Sequence, residues 1–170
     1  MAITSFPFDD QDTTEGQYTS LFRELQDTGV VDGVAGTGFQ VYADSSGMLV
    51  KVQPGSAIVR GHMVISDATE TLEIDPASPS ERIDRVVLRL DPSANEISLE
   101  VLTGTPGDGV PTLTQTDTGV YEFPLARVTV LPSASNIAPE RVTGERQFVG
   151  LRTRAWTSST RPSAARIGQL

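Results

Sequence analysis

The sequence predicts a mainly β protein: an antiparallel β-sandwich with one N-terminal amphipathic helix and an extended C-terminal arm. The 15 glycines and 11 prolines among the 170 residues fall in clusters between short apolar runs, which is typical of short strands joined by turns. Apolar residues recur with a period of two after residue 38, whereas one segment near the start has a helical period. We divide the chain into residues 1–32 with the helix, a β-sandwich domain over 33–145, and a basic arm or linker over 146–170.

The helix follows a capping signal. Asp12 is the expected N-cap, Glu15 completes a variant of the capping box, and Gly29 is expected to stop the helix. Apolar residues at i, i+3, i+4 and i+7 share one face of this helix; they are Tyr18, Leu21, Phe22 and Leu25. Because this face is narrow, we expect it to need a partner and predict that it forms a subunit interface.

The strands are predicted from alternation and turn residues. Arg82–Asp91 and Glu96–Thr103 flank Pro92–Asn95, a four-residue hairpin loop. Arg85 and Arg89 share a face of the first arm, so we expect them opposite the glutamates of the second. Pro124 predicts a bend or an edge in the last strand, because proline cannot donate to a ladder, and Thr103–Gly119 is expected to be a loop. The remaining predicted strands are 39–43, 48–52, 56–60, 62–65, 69–74 and 121–131. Of these, the strand 69–74 suits an exposed or edge position.

Charge is distributed unevenly along the chain. Residues 146–170 contain five arginines and no acid, so subtracting these charges from the net charge of −9 leaves −14 on residues 1–145. An acidic body with a basic arm can pair with copies of itself, although a solvated tail explains the pattern nearly as well. The arm is too polar to offset its own ordering entropy, so we expect contacts with other subunits to order it. Its predicted interface residues are Phe148, Leu151, Arg152, Arg154 and Trp156.

Few residues suggest catalysis or metal binding. The chain has no cysteine and a single histidine, His62, so a thiolate site is excluded and a zinc site would need mostly carboxylates. Gly33–Gly38 does not fit a phosphate loop, since it follows a helix and opens a strand. Asp9, Asp10 and Asp12 lack the spacing of a calcium loop. We therefore predict no enzyme, no cofactor and no metal site.

Composition also limits the possible partners. A net charge of −9 argues against non-specific nucleic-acid binding, which needs a basic surface. No apolar run approaches the roughly 20 residues that span a bilayer, so we expect no membrane insertion. The first twelve residues show no secretory signal pattern.

Several motifs together resemble tail and baseplate proteins of bacteriophages, often described as minor tail or baseplate upper proteins. The similar stretches occur in one order along the chain and are residues 17–25, 52–61, 82–91, 116–128 and 156–162. The resemblance implies an N-terminal anchoring module that fixes a tail fibre or receptor-binding device to the tail tip. It also implies a location in the virion, other tail or baseplate proteins as partners, and a homo-oligomer, with a trimer favoured.

Two functions remain open at this point. The first is a structural assembly protein that anchors or displays a host-attachment element. The second is a carbohydrate-binding module that contacts the host envelope directly. An exposed aromatic platform on a sheet would favour the second, because sugars stack on aromatic rings.

Overall fold

The computed structural model describes residues 5–7, 9–10, 12–33 and 35–149, and within them the chain is mainly β with a single α-helix. The predicted mainly β class, with a sandwich-like arrangement and one N-terminal helix, is thus confirmed, while the predicted arm beyond residue 149 lies outside the described residues. The described residues form ten strands, of which seven have two to five residues and three have seven to ten. In chain order the elements are α1 (Glu15–Leu25), β1 (Gly29–Val30), β2 (Val41–Tyr42), β3 (Leu49–Val52), β4 (Gly55–Val59), β5 (His62–Ser66), β6 (Glu70–Glu73), β7 (Arg82–Asp91), β8 (Glu96–Leu102), β9 (Tyr121–Val130) and β10 (Val142–Gly144).

The strands form three antiparallel sheets with the orders β1-β4-β5, β2-β3-β6 and β10-β9-β7-β8. Residues from all three sheets meet in one hydrophobic core. Its largest fully buried apolar side chains are Phe39, Leu88, Leu125 and Ile137. Leu88 of β7 and Leu125 of β9 point inward because alternate residues of a strand face opposite sides, whereas Phe39 and Ile137 lie outside the strands.

The helix begins later than predicted. Its N-cap is Thr14, not Asp12, and the capping box joins Thr14 to Gln17 instead of Asp12 to Glu15. The Gln17 amide donates to Thr14 Oγ1 at 3.3 Å, and the Thr14 amide donates to Gln17 Oε1 at 2.8 Å. The helix ends at Leu25, four residues before Gly29, which instead starts β1.

β9 lies between β7 and β10 in the largest sheet, but β10 pairs only with residues 126–128 of β9. Pro124 therefore lies beyond the end of β10, on a part of β9 that β10 does not cover. The predicted bend is present: the β7–β9 register shifts between Val86 and Val87, with Val86 opposite Ala126 and Val87 opposite Pro124. An extra residue at this bulge accommodates the missing amide hydrogen of proline.

The predicted hairpin forms, and Arg89 lies on the same face as the glutamates of β8. Its direct partner is Ser98, while Glu100 approaches diagonally, with 3.8 Å between Arg89 Nε and Glu100 Oε1. The expectation for Arg85 was wrong. It lies opposite Leu102, and its Nε contacts Glu145 Oε2 at 2.9 Å.

Several short regular features were not predicted, among them a 3-10 helix over Pro139–Arg141. β1 and β10 are only two and three residues long, too short for a period to show. Within the predicted loop 103–119, Gln115 forms a bridge with Tyr121, and the Glu122 amide donates to the Thr114 carbonyl at 2.8 Å. This segment pairs with β9 at the end that β10 leaves uncovered.

Candidate interaction surfaces

The apolar face of α1 points away from the rest of the molecule. Tyr18, Leu21, Phe22 and Leu25 are 53%, 42%, 47% and 56% exposed, and no residue of the helix is buried. Four large apolar side chains on adjoining turns make one continuous patch. We call these four residues the helix face.

The opposite side of α1 lies against the turn between β4 and β5. A Cβ atom added to Gly61 would lie 2.4 Å from the Thr19 carbonyl oxygen, so only glycine allows the helix backbone this close. Gly61 also has a φ of +86°, which favours glycine independently. Beside it, His62 Nδ1 is 3.6 Å from Glu15 Oε1.

Asp117 joins the helix to this turn through two arginines. Arg23 Nη2 donates to Asp117 Oδ1 at 2.8 Å, and Arg60 donates both to the Asp117 carboxylate and, at 2.7 Å, to its backbone carbonyl. The hydrogen bond from Arg23, followed by that from Arg60, lowers the pKa of Asp117 below its usual value. We call Arg23, Arg60 and Asp117 the helix clamp.

Arg60 is itself held in place by its surroundings. Its guanidinium lies over the Tyr121 ring, 5.2 Å from the centroid. Its backbone amide donates to Thr28 Oγ1 at 3.0 Å. The polar contacts of the clamp therefore orient α1 so that the helix face stays exposed.

The start of the predicted arm packs on the body. Arg146 Nη1 donates to the Gly38 carbonyl at 2.6 Å, and its guanidinium lies 5.3 Å from the centroid of the Phe148 ring. Residues 147–149 run parallel to β1: the Val30 amide donates to the Gln147 carbonyl at 2.8 Å, and the Val149 amide donates to the Val30 carbonyl at 2.9 Å. Phe148 is half-buried against the core.

The structure thus places five of the nine predicted interface residues. The helix face is exposed, and Phe148 lies in a depression together with Arg23 and Gln26 near the end of α1. The helix face does not line this depression. Leu151, Arg152, Arg154 and Trp156 lie outside the described residues.

A second surface, missed by the sequence analysis, lies between β5 and β8. Two adjoining depressions of about 330 and 400 Å³ share Val64, Ile65 and Ile97 in their walls. β5 and β8 are each the last strand of their sheet, and Met63 and Ile65 are 54% and 68% exposed. We call this the edge cleft. Its one sequence signal was the apolar run Met63–Ile65, which places Met63 and Ile65 together on one face of β5.

The Gly-rich stretch and the acidic residues considered for phosphate or metal binding have structural roles or no metal-binding arrangement in the described residues. The amides of Gly33 and Gly38, at the two ends of the Gly-rich stretch, donate to the Asp32 carboxylate at 2.7 and 2.9 Å. These bonds, Gly38 first, lower the pKa of Asp32. Among the described residues, no three His, Asp or Glu side chains are arranged to hold a metal ion.

Comparison of the chain with protein-family models, curated proteins and solved structures finds no match. Within the described part of the chain, no helix is long and apolar enough to cross a membrane.

Proposed function

We propose that this chain is a structural assembly protein of a bacteriophage tail tip or baseplate, which anchors or displays a host-attachment element. It docks on neighbouring subunits through the helix face, in a homo-oligomer for which we favour a trimer. The protein acts by binding and not by catalysis, and its place is the virion. The proposal draws on the sequence resemblance to tail and baseplate proteins together with the exposed helix face.

The observation that carries the proposal is the orientation of α1. An amphipathic helix normally buries its apolar face on its own domain. Here the opposite, polar side is held by the helix clamp, and four large apolar side chains remain about half exposed. Contiguous exposed apolar patches typically mark protein–protein interaction sites, and aromatic residues often dominate such interfaces.

The distribution of aromatic side chains favours assembly over sugar binding. Among the described residues, the exposed aromatic side chains are Tyr18 and Phe22, both on α1. On the strands, Phe123 is buried and Tyr42 and Tyr121 are half-buried. The described sheets therefore offer no aromatic platform on which a sugar ring could stack.

The test is the mass of the particle in solution. We expect the wild-type chain to form a closed particle, three times the 18.2 kDa chain mass for a trimer. Leu21→Gln should shift the equilibrium toward monomer, and the double variant Leu21→Gln/Leu25→Gln should do so more strongly. Glutamine keeps a good helix propensity, so circular dichroism should be unchanged.

Val31→Gln is the matched control, since Val31 is 43% exposed and Leu21 is 42% exposed, and Val31 lies outside the helix face. Its mass should equal that of the wild type. A wild-type chain that stays monomeric at high concentration, or a double variant with undiminished mass, would contradict the proposal.

A further inference from the structure

The edge cleft has the charge and shape to receive an extended, basic segment. Five carboxylates line it and its lining contains no lysine or arginine; the acids are Glu15, Asp67, Glu70, Asp91 and Glu96. Its floor is apolar, with Ile97 and Leu99 of β8 and Leu72 of β6 only partly buried. A ligand that fits should therefore combine positive charge with apolar anchors.

The cleft also has an open strand edge. β5 pairs with β4 along one side, and no further backbone hydrogen bond to His62–Ser66 occurs among the described residues. An unpaired edge of this kind is a template for the addition of another extended segment. Alternate residues of the added segment would then face the cleft and the solvent.

The chain contains one segment with these properties. Residues 151–170 carry four arginines and no acid. Within the first six of these residues, Arg152 and Arg154 stand between Leu151 and Trp156. In an extended segment Arg152, Arg154 and Trp156 share one face. On that face the two guanidinium groups suit the carboxylates of the cleft, and the Trp156 ring suits its apolar floor.

We propose that Leu151–Trp156 of one copy docks along β5 in the edge cleft of a second copy. This inference rests on the proposed function in assembly, and it names the partner of a surface other than the helix face. The contact runs from arm to cleft, so it is head-to-tail and propagates around a ring when the rotation closes.

The path of the chain requires a second copy. Residues 147–149 lie beyond β1, at the edge of the β1-β4-β5 sheet opposite to β5. A segment added outside β5 would be four strand spacings away, about 19 Å at roughly 4.8 Å each. Leu151 is two residues from Val149 and can reach only about 7 Å. Leu151 therefore cannot enter its own cleft.

The absence of native cysteine allows a direct test by disulfide cross-linking. Ile65→Cys places a thiol in the cleft, at a side chain 68% exposed, and Ala155→Cys places one in the arm beside Trp156. The two full-length variants are purified separately, mixed, and oxidised under mild conditions. We expect the disulfide between the cleft thiol of one variant and the arm thiol of the other to form about tenfold faster than the disulfide of a control pair. Docking raises the effective concentration of one thiol near the other.

The control pair combines Ala155→Cys with Asp108→Cys, an exposed position outside the cleft. Equal rates for the cleft and control pairs would overturn the proposal. So would a chain carrying both Ile65→Cys and Ala155→Cys that forms only an internal disulfide and no cross-linked multimers.

A charge variant gives an independent readout from Trp156, the single tryptophan. Glu70→Lys/Glu96→Lys should shift its fluorescence emission to longer wavelength by exposing the ring, whereas Asp108→Lys/Glu140→Lys, with the same charge change at exposed sites, should not. Identical spectra for both double variants would contradict docking. If the particle mass shows an oligomer while these tests fail, the arm inference alone is wrong; if the chain is monomeric, the proposed function fails with it.

Discussion

The buried Asp84 carboxylate accepts hydrogen bonds from the Arg82 side chain and the Gly104 amide. It is 0% exposed, and Arg82, 5% exposed, contacts it with 2.9 Å between Arg82 Nε and Asp84 Oδ1. The Gly104 amide donates to Asp84 Oδ1 at 2.9 Å. Arg82 also donates to the carbonyls of Asp75 and Pro76 at 2.6 and 2.7 Å. This pair joins the start of β7 to the segment before it and to the loop after β8.

Replacing Asp84 should be strongly destabilising. Asp84→Ala leaves the Arg82 guanidinium buried without its carboxylate, and such a loss typically costs about 3–5 kcal/mol. Denaturant unfolding of the purified variant measures the change in the free energy of unfolding. Asp108→Ala, at an exposed position, should stay within about 0.5 kcal/mol of the wild type. Similar values for both variants would show that the buried pair contributes little.

Arg89 connects the hairpin to the buried Glu122. We therefore expect it to contribute more to the stability of the fold than the sequence indicated. The sequence predicted cross-strand pairing with the glutamates of β8, which contributes roughly 0.2–1 kcal/mol. In the structure, Arg89 Nη1 lies 2.6 Å from Glu122 Oε1, and the Glu122 side chain is only 3% exposed. The strongest ion pair of Arg89 therefore spans β7 and β9.

Arg89→Met should destabilise the protein by about 1.5–3 kcal/mol, the usual contribution of a hydrogen bond to a charged group. Arg89→Glu should destabilise it further, because it sets a second carboxylate beside Glu122. Thermal or denaturant unfolding of the two variants measures both effects. Equal stability of the methionine and glutamate variants would mean that the charge at position 89 has no electrostatic effect on Glu122.

At the scale of whole elements, α1 is held mainly by the helix clamp. None of its residues is buried; Arg23 Nη2 lies 2.8 Å from Asp117 Oδ1, and Glu15 Oε1 lies 3.6 Å from His62 Nδ1. The pKa of Asp117 is lowered in the folded state by Arg23 and then Arg60. The clamp is therefore fully formed above the ordinary carboxyl pKa of 3.8 and is lost as the pH falls through the lower, folded value.

Asp117→Asn should loosen α1 at neutral pH while leaving the sheets intact. Hydrogen exchange measures this directly: amides of residues 18–25 should exchange faster in the variant, and amides of β7 and β9 should not. In the wild type, lowering the pH from above 3.8 through the lower, folded pKa of Asp117 should produce the same helix-specific change after correction for intrinsic exchange rates. Unchanged helix protection in the variant would show that other contacts hold α1.

Most elements could be predicted because their signals are local. The alternation in Arg82–Asp91 and the loop Pro92–Asn95 fixed the hairpin, which the structure reproduces with β7 at the predicted bounds. The N-cap was ambiguous, since Asp12 with Glu15 and Thr14 with Gln17 both satisfy the capping spacing. The direction of the helix face was not predictable from a helical period. It depends on Arg60 and Asp117, which are far from α1 in sequence.

At the scale of the whole molecule, we propose two kinds of assembly surface. The helix face is apolar and is oriented by charges that lie behind it. The edge cleft is acidic and matches a basic arm in the same chain. Ionic strength separates these contributions, because salt screens exposed charges over a Debye length of about 10 Å at 0.1 M but leaves apolar burial largely intact.

We therefore expect assembly to weaken with moderate salt without disappearing. The arm-to-cleft contact should be lost first, since exposed ion pairs are worth little once screened, while the helix face continues to hold subunits together. Deletion of residues 151–170 should leave a smaller oligomer population whose mass no longer depends on salt. Leu21→Gln/Leu25→Gln should instead steepen the salt dependence, because only the charged contact remains. Light scattering from 0.05 to 0.5 M salt measures both effects, because the Debye length falls over this range from about 14 Å, where screening is weak, to about 4 Å, where it is strong. A deletion variant with the salt dependence of the full chain would show that the charges governing assembly lie in the body and not in the arm.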